Sequence, residues 1–163
     1  ALYSTESNAD LSDIGVNALP PFPPGAPDTK DRNYYFAYSF DQYLYQPSKD
    51  SKEGFGIFGQ FGISDGNPSR LFWSALLGIG GTGLIPGRSQ DNWGIGYYSD
   101  APSRDLQDSL SPLLAIRDEQ GVEIFYNFAV TPWLTVGVDL QVINPSLGDD
   151  TAILPGLRFV TRF

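Results

Sequence analysis

The polar side chains of this sequence limit the chemistry that it could perform. The chain has 163 residues, with 19 Asp or Glu, 10 Lys or Arg, and neither Cys nor His. It therefore lacks the commonest general base, the commonest metal ligand and the thiolate nucleophile. An enzyme would have to use paired carboxylates, and no acid pair has a recognisable catalytic context. The remaining amides, carboxylates and guanidinium groups suit hydrogen bonding and ion pairing better than bond breaking.

The net charge and the local motifs limit further which partners the protein could bind. A net charge of -9 and a pI of about 4.2 argue against nucleic acid, because phosphate binding requires basic patches. The acid-rich turns at 65–67 and 148–150 lack the ligand spacing of a known calcium motif. A G-x-G-x-x-G run begins at Gly78, but Pro86 follows too soon for the helix that a dinucleotide site needs. We therefore predict no cofactor and no metal site.

Strands with a two-residue period must position the polar side chains. In 122–130, 134–142 and 153–163 apolar side chains alternate with polar or small ones. Successive side chains of a strand point to opposite faces, so each segment has one apolar and one polar face. Four more strands are predicted at 33–46, 54–64, 71–84 and 92–99, and a strand fragment at 1–5 brings the total to eight. A helical turn is predicted over 110–116.

The solvent of the apolar faces decides the fold class. A soluble sandwich buries its apolar faces inside, whereas a membrane barrel turns them toward lipid and encloses a polar lumen. The segments are close to the ~9 to 11 residues that a tilted strand needs to cross a bilayer. Aromatic residues stand at segment ends, as at Trp133 and Phe163, and the last strand ends on an aromatic residue without a polar tail. We predict an all-β, antiparallel transmembrane β-barrel, either a single domain over 1–163 or the carboxyl-terminal portion of one.

The connections sort by length if the strands alternate in direction. The short turns 47–53, 86–91 and 132–133 then share one side with Phe163, and the long connections 8–32 and 100–120 share the other. This asymmetry is typical of outer-membrane barrels and makes the long connections extracellular loops. Two aromatic girdles follow from the same sorting: a periplasmic one of Trp93, Trp133 and Phe163, and an outer one of Tyr34, Phe61, Trp73 and Tyr97. The prolines between 20 and 27 predict a rigid loop, with an SH3-type ligand as the alternative.

Several sequence blocks together resemble the OprB-type carbohydrate-selective porins. They are GQFGISDGNP at 59–68, GTGLIPGR at 81–88, GIGYY at 94–98, DEQGVE at 118–123, YN and VTPW at 126–127 and 130–133, and DLQVI at 139–143. The resemblance spans 41–163 and corresponds to the carboxyl-terminal half of the family. It implies a Gram-negative outer-membrane channel that passes glucose and related sugars by diffusion. It also implies a larger barrel of roughly 16 strands, so that the partners are sugars, outer-membrane lipid and the remainder of the barrel. The sequence leaves open whether a homotrimer forms.

Parity along the strands selects the residues that would face such a lumen. A polar cluster of Asn127, Asp139, Gln141 and Arg158 is predicted, joined more distantly by Glu123, Gln60 and Asp41. Tyr35, Tyr43, Phe58, Tyr98 and Phe125 are predicted to offer stacking surfaces. A turn centred on Trp133 predicts Asn127 opposite Asp139, with Arg158 at a similar height. These side chains would bind sugar hydroxyls and sugar faces, or would only brace the wall through ion pairs.

Three other interpretations stay open at this point. The chain could be a complete small eight-stranded outer-membrane barrel with a structural or adhesive role. It could be a soluble β-sandwich that binds sugars or partners. An enzyme with paired carboxylates is a further alternative, although the sequence gives it no acid pair in a catalytic context.

Overall fold

The computed structural model describes residues 2–13, 28–49, 51–83, 85–111 and 113–162. One antiparallel sheet of eight strands dominates it. Its strands, in the order in which they pair across the sheet, are β1 (Leu2–Ser4), β4 (Asn33–Tyr45), β5 (Gly54–Ser64), β6 (Leu71–Thr82), β7 (Asn92–Pro102), β8 (Glu119–Thr131), β9 (Leu134–Asn144) and β10 (Ala152–Thr161). A separate ribbon pairs β2 (Asn8–Ala9) with β3 (Thr29–Lys30). Helix α1 (Arg104–Leu110) and a short 3-10 turn (Leu11–Asp13) complete the fold.

The eight predicted strands and their antiparallel pairing are confirmed, with different ends at several places. The strand predicted at 71–84 ends at Thr82, because Gly83 adopts a φ of 77° and its N–H donates to the Asp91 carbonyl at 2.9 Å. The strand predicted at 92–99 continues to Pro102, and the following connection of 100–120 shortens to 103–118. The predicted 8–32 loop contains the β2–β3 ribbon. The prolines at 20–27 and Phe163 lie outside the described residues.

The helical turn was predicted in the wrong place. It spans Arg104–Leu110 instead of 110–116. The reason is a local cap, since the Ser103 hydroxyl accepts the Leu106 N–H at 3.4 Å and Asp105 stands in the first turn. The apolar residues after Leu110 misled the prediction, because apolar content alone does not start a helix.

The large sheet has an apolar face without a core behind it. Among the described residues the only buried apolar side chains are Leu11 and Ala101. Val138 and Leu140 are 43% and 41% exposed, and most other large apolar residues of the same face are exposed as well. A sandwich would cover this face with a second sheet, but within the described ranges the only other sheet is the β2–β3 ribbon. A continuous exposed apolar face of long strands is typical of lipid contact.

The ends of the sheet and the helices complete the architecture. β1 and β10 lie at opposite edges of the sheet order, and each pairs with one neighbour. In the part of the chain that the structure describes, no helix is both long and apolar enough to span a membrane.

Candidate functional site

The polar face of the sheet carries all twelve predicted site residues. Residues opposite each other in an antiparallel pair share a face. Cross-strand pairs therefore place these residues on one surface. The pairs are Tyr35↔Ser64, Asp41↔Phe58, Tyr43↔Gly56, Gln60↔Leu76, Tyr98↔Gly121, Glu123↔Gln141, Phe125↔Asp139, Asn127↔Gly137 and Arg158↔Gly137. Most of the exposed apolar side chains lie on the opposite face, although Leu76, Leu154 and Val160 share the polar face. Their role in binding remains a prediction.

A recess of about 210 Å³ brings five of these residues together. Glu123, Phe125, Asn127, Asp139 and Arg158 line it, and Asn92 completes the lining. The Asn127 side-chain amide donates to the Asn92 side-chain oxygen at 2.6 Å. The recess thus combines two carboxylates, one guanidinium group, an amide pair and one aromatic ring, which is a set able to bind hydroxyl groups and an apolar ring face.

The predicted register between β8 and β9 was wrong by two residues. Asp139 lies opposite Phe125, and Asn127 lies opposite Gly137. The turn at Pro132 and Trp133 connects Thr131 to Leu134, and a bulge between Ala129 and Thr131 adds a further shift. Parity is preserved, since a slip of two residues keeps every side chain on its face.

The height of Arg158 also needs correction. Arg158 lies opposite Gly137, whereas Asp139 lies opposite Gly156, so the two charged residues are diagonal neighbours. Asp139 lies across Gly156, where a methyl group would collide with its carboxylate. The ion pairs of the described residues are Arg88–Asp91 and Arg117–Asp149, so those residues give Asp139 and Arg158 no ion-pair partner within 4.0 Å. In the described part of the chain, these two charges do not brace the wall through an ion pair.

Aromatic rings of the polar face lean over glycines of the neighbouring strand. A Cβ on Gly94 would lie 2.7 Å from Cε1 of Phe125, and one on Gly121 would lie 2.5 Å from Cε1 of Tyr98. Phe58 lies over Gly78 in the same way. The glycines therefore leave room for a ring to lie against the wall, with its other side available for contact. The Tyr98 hydroxyl, however, donates to Glu119 at 3.0 Å.

A second recess of about 270 Å³ adjoins the first. Its lining includes Asp41, Tyr43 and Phe58, and it shares Asn92 and Phe125 with the smaller recess. The other predicted residues line neither recess; they are Gln60, Gln141, Tyr35 and Tyr98. Within the described ranges, no group of three or more carboxylates is arranged to hold a metal ion.

The sequence reasoning missed a charged network in the connection from β6 to β7. Asp91 is 1% exposed, and its carboxylate accepts hydrogen bonds from Arg88, from the Tyr126 hydroxyl at 2.8 Å and from the Ala129 N–H at 2.8 Å. Burial raises the pKa of Asp91, but these donors together hold the pKa below its usual value. Strand alternation gave no signal for this residue, because it lies in a turn.

Asn67 joins three connections at the opposite end of the sheet. It is 4% exposed, accepts the Leu11 N–H at 3.1 Å, and donates to Asp10 and Asp105 at 2.7 Å each. Hydrogen bonds from Asn67 and Ser12 lower the pKa of Asp10 from 3.8 to about 2. This hub ties the turn between β5 and β6 to both long connections, so that they form one packed end of the structure.

The Asn67 hub gives a pH-dependent prediction. The folded pKa of Asp10 is depressed, so its carboxylate contributes to docking above its ordinary pKa of 3.8, and the contribution is lost as the pH falls through about 2. We expect the amide resonance of Leu11, followed by NMR, to move toward that of an undocked amide across this window. Asn67→Ala should undock Leu11 at neutral pH as well, at a cost of about 1–3 kcal/mol.

A matched variant controls for the Asn67 prediction. Asn144 accepts the Thr151 hydroxyl at 2.6 Å within the connection from β9 to β10, so Asn144→Ala removes an amide without touching the hub. This variant should leave the Leu11 resonance and its titration as in the wild type. An unchanged Leu11 resonance in Asn67→Ala would show that the hub does not hold the long connection.

This chain is similar to known proteins in both its sequence and its fold. The model of the carbohydrate-selective porin, OprB family, matches residues 1–163. The solved structure described as "High pH structure of Pseudomonas putida OprB" is similar with a TM-score of 0.83 and 21% identity, over 98% of this chain and 42% of that chain. The chain therefore spans less than half the length of that solved relative, and the likeness shows the fold. No curated protein matches the chain. The match of the family over residues 1–163 shows that this chain belongs to the carbohydrate-selective porin family, OprB.

Proposed function

We propose that this chain forms part of an outer-membrane pore through which small neutral sugars such as glucose diffuse passively. The observation that carries the proposal is the division of the sheet into two faces. One face presents most of the large exposed apolar side chains, and the other presents the polar and aromatic residues of the two recesses. This division fits lipid on the first side and a water-filled lumen on the second.

The lumen proposal explains why the polar face is chemically mixed. A sugar has many hydroxyls and apolar ring faces, so a pore selective for sugars needs donors, acceptors and aromatic surfaces. Asp139 and Glu123 offer acceptors, and Arg158 offers donors. Phe125 offers a ring face between the two recesses. Since none of these charged groups has an ion-pair partner among the described residues, their hydrogen-bonding capacity is available to a passing sugar.

The charge of the polar face favours neutral sugars over anionic ones. Asp41, Glu123 and Asp139 place three carboxylates along the two recesses, against the single guanidinium group of Arg158. An anionic sugar would meet repulsion in this region, and the repulsion would weaken as salt screens it. We therefore propose that this part of the pore disfavours anionic sugars.

Further strands would complete the barrel in this proposal. Of the described strands, β1 and β10 each have one unpaired edge, and the chain covers 42% of the solved relative with the same fold. Unpaired edges are not tolerated inside a bilayer, because backbone groups need partners there. A barrel of roughly 16 strands would pair both edges and leave a lumen wide enough for sugars. The long connections would then lie on the extracellular side, and the girdle aromatics at the two membrane interfaces.

Reconstitution in planar lipid bilayers tests this function. The intact protein should form an open, ion-conducting pore whose current falls as glucose is added, and glucuronate should block it more weakly at low salt. A pore whose current is not blocked by sugar would contradict the proposed carbohydrate selectivity. The absence of conductance would overturn the channel itself, and with it the lumenal position of the two recesses.

A further inference from the structure

Asp91 occupies an unusual position for a charged residue in this sheet. It is 1% exposed in the connection between β6 and β7, and its two carboxylate oxygens accept four hydrogen bonds. Arg88 contributes two of these bonds and also lies 5.6 Å from the ring centre of Phe128. Tyr126, which donates the third, packs against the same Phe128 ring, with the ring centres 4.5 Å apart and the ring planes tilted by 48°. The network therefore fastens the connection to the apolar face of β8.

The network lies where the backbone pairing of β7 with β8 stops. The last pair of this ladder at that end is Asn92↔Asn127. Two residues farther along β8, the Ala129 N–H donates to the Asp91 carboxylate at 2.8 Å. The carboxylate thus takes the place of the next backbone acceptor, and it does so beside the bulge between Ala129 and Thr131. Without it, the end of the ladder would lack a closing hydrogen bond.

The residue that follows Asp91 belongs to the opposite face of the sheet. Asn92 opens β7 and lines both recesses. Its side-chain oxygen accepts the Asn127 amide at 2.6 Å, and Asn127 in turn lies across Gly137. Because Asp91 directly precedes Asn92, holding the Asp91 carboxylate against Tyr126 and Ala129 also restrains the backbone that presents Asn92 on the polar face.

We propose that Asp91 is a positioning residue for the smaller recess. With Arg88 and Tyr126 it fixes, from the apolar face, the Asn92–Asn127 pair that lines the recess on the polar face. This inference rests on the proposed function, since it assumes that a sugar is bound in that recess. The Asn92–Asn127 pair is then held in place by residues outside the lumen. A substitution on the lipid-facing side therefore alters sugar binding without contacting the sugar.

Two variants of different severity test this role in the intact protein. Tyr126→Phe removes one hydrogen bond and keeps the charge pair, and Asp91→Asn removes the charge. We expect glucose block to weaken about three- to tenfold in both, with the larger loss in Asp91→Asn, while conductance without sugar stays close to the wild-type value. The side-chain amide resonances of Asn127, observed by NMR, should move toward those of a free amide in both variants.

The control is a tyrosine of the same face outside the network. The Tyr97 hydroxyl donates to Gln120 at 2.8 Å, so Tyr97→Phe also removes one hydrogen bond from the apolar face of the sheet. It should change neither the glucose block nor the Asn127 resonances. In a double-mutant cycle, Asn92→Ala should abolish most of the effect of Tyr126→Phe on sugar block, because both act through the same pair.

Two results would overturn the positioning role. One is an unchanged Asn127 amide in Tyr126→Phe and Asp91→Asn, and the other is additive loss of glucose block in the cycle with Asn92→Ala. A wild-type pore without any glucose block contradicts the proposed sugar function instead. In that event the Asn127 resonances still decide whether Asp91 holds the amide pair.

Discussion

Replacing Asp139 by lysine is expected to turn the smaller recess from a region that repels anions into one that attracts them. Asp139 lines this recess, stands diagonally from Arg158, and has no ion-pair partner among the described residues. Two unit charges at about 4 Å interact by ~1 kcal/mol in water. Reversal of one charge would therefore stabilise a monovalent anion beside it by about 2 kcal/mol, or roughly thirtyfold in local occupancy.

Reversal potentials in a salt gradient measure this change directly. Asp139→Lys should shift the pore toward anions and should admit glucuronate, with the shift shrinking as ionic strength rises. Asp150→Lys is the matched control, because it makes the same charge change at an exposed position in the connection between β9 and β10. Equal shifts of the reversal potential in the two variants would mean that the total charge of the protein, and not the charge in the recess, sets the ion preference. An unchanged reversal potential in Asp139→Lys would mean that Asp139 does not lie on the path of the ions.

The sequence predicted the faces of the sheet well because facing depends only on parity. Asp139 and Arg158 share a face in every register that differs by two residues, since such a slip moves a side chain along the strand and not through the sheet. Which residues stand opposite each other depends on turn length and bulges. The turn from Thr131 to Leu134 and the bulge between Ala129 and Thr131 together displaced Asn127 from the predicted partner, although its face was correct.

Contacts between distant segments could not be predicted in the same way. Asn67 meets Asp10 across 57 positions of the sequence, and Asp91 meets Ala129 across 38. Both hubs lie in connections, where no periodic pattern tells which way a side chain points. The alternation of a strand shows which face a residue takes, but a turn residue is placed by the packing of whole connections. Asn92 was within reach of the pattern, since it alternates with the apolar residues Trp93, Ile95 and Tyr97 of its own strand and therefore takes the polar face.

Replacing Phe125 by alanine should weaken sugar block more than any other truncation on the polar face. Phe125 lines both recesses and lies over Gly94, so its removal joins the two recesses into a wider space. Specific contacts with an aromatic ring contribute about 0.5–1.5 kcal/mol. We expect glucose block about tenfold weaker and a higher conductance without sugar. Phe36→Ala is the control, because Phe36 is 47% exposed on the apolar face and should leave both quantities unchanged.

A second substitution separates stacking from wall filling. Leucine at position 125 restores most of the side-chain volume over Gly94 but has no flat ring face. If the ring stacks on the sugar, Phe125→Leu should recover a conductance close to that of the wild type while glucose block stays as weak as in Phe125→Ala. Recovery of both would show that Phe125 only fills the wall. The aromatic residues of the polar face would then shape the proposed pore without contributing directly to a preference for sugars.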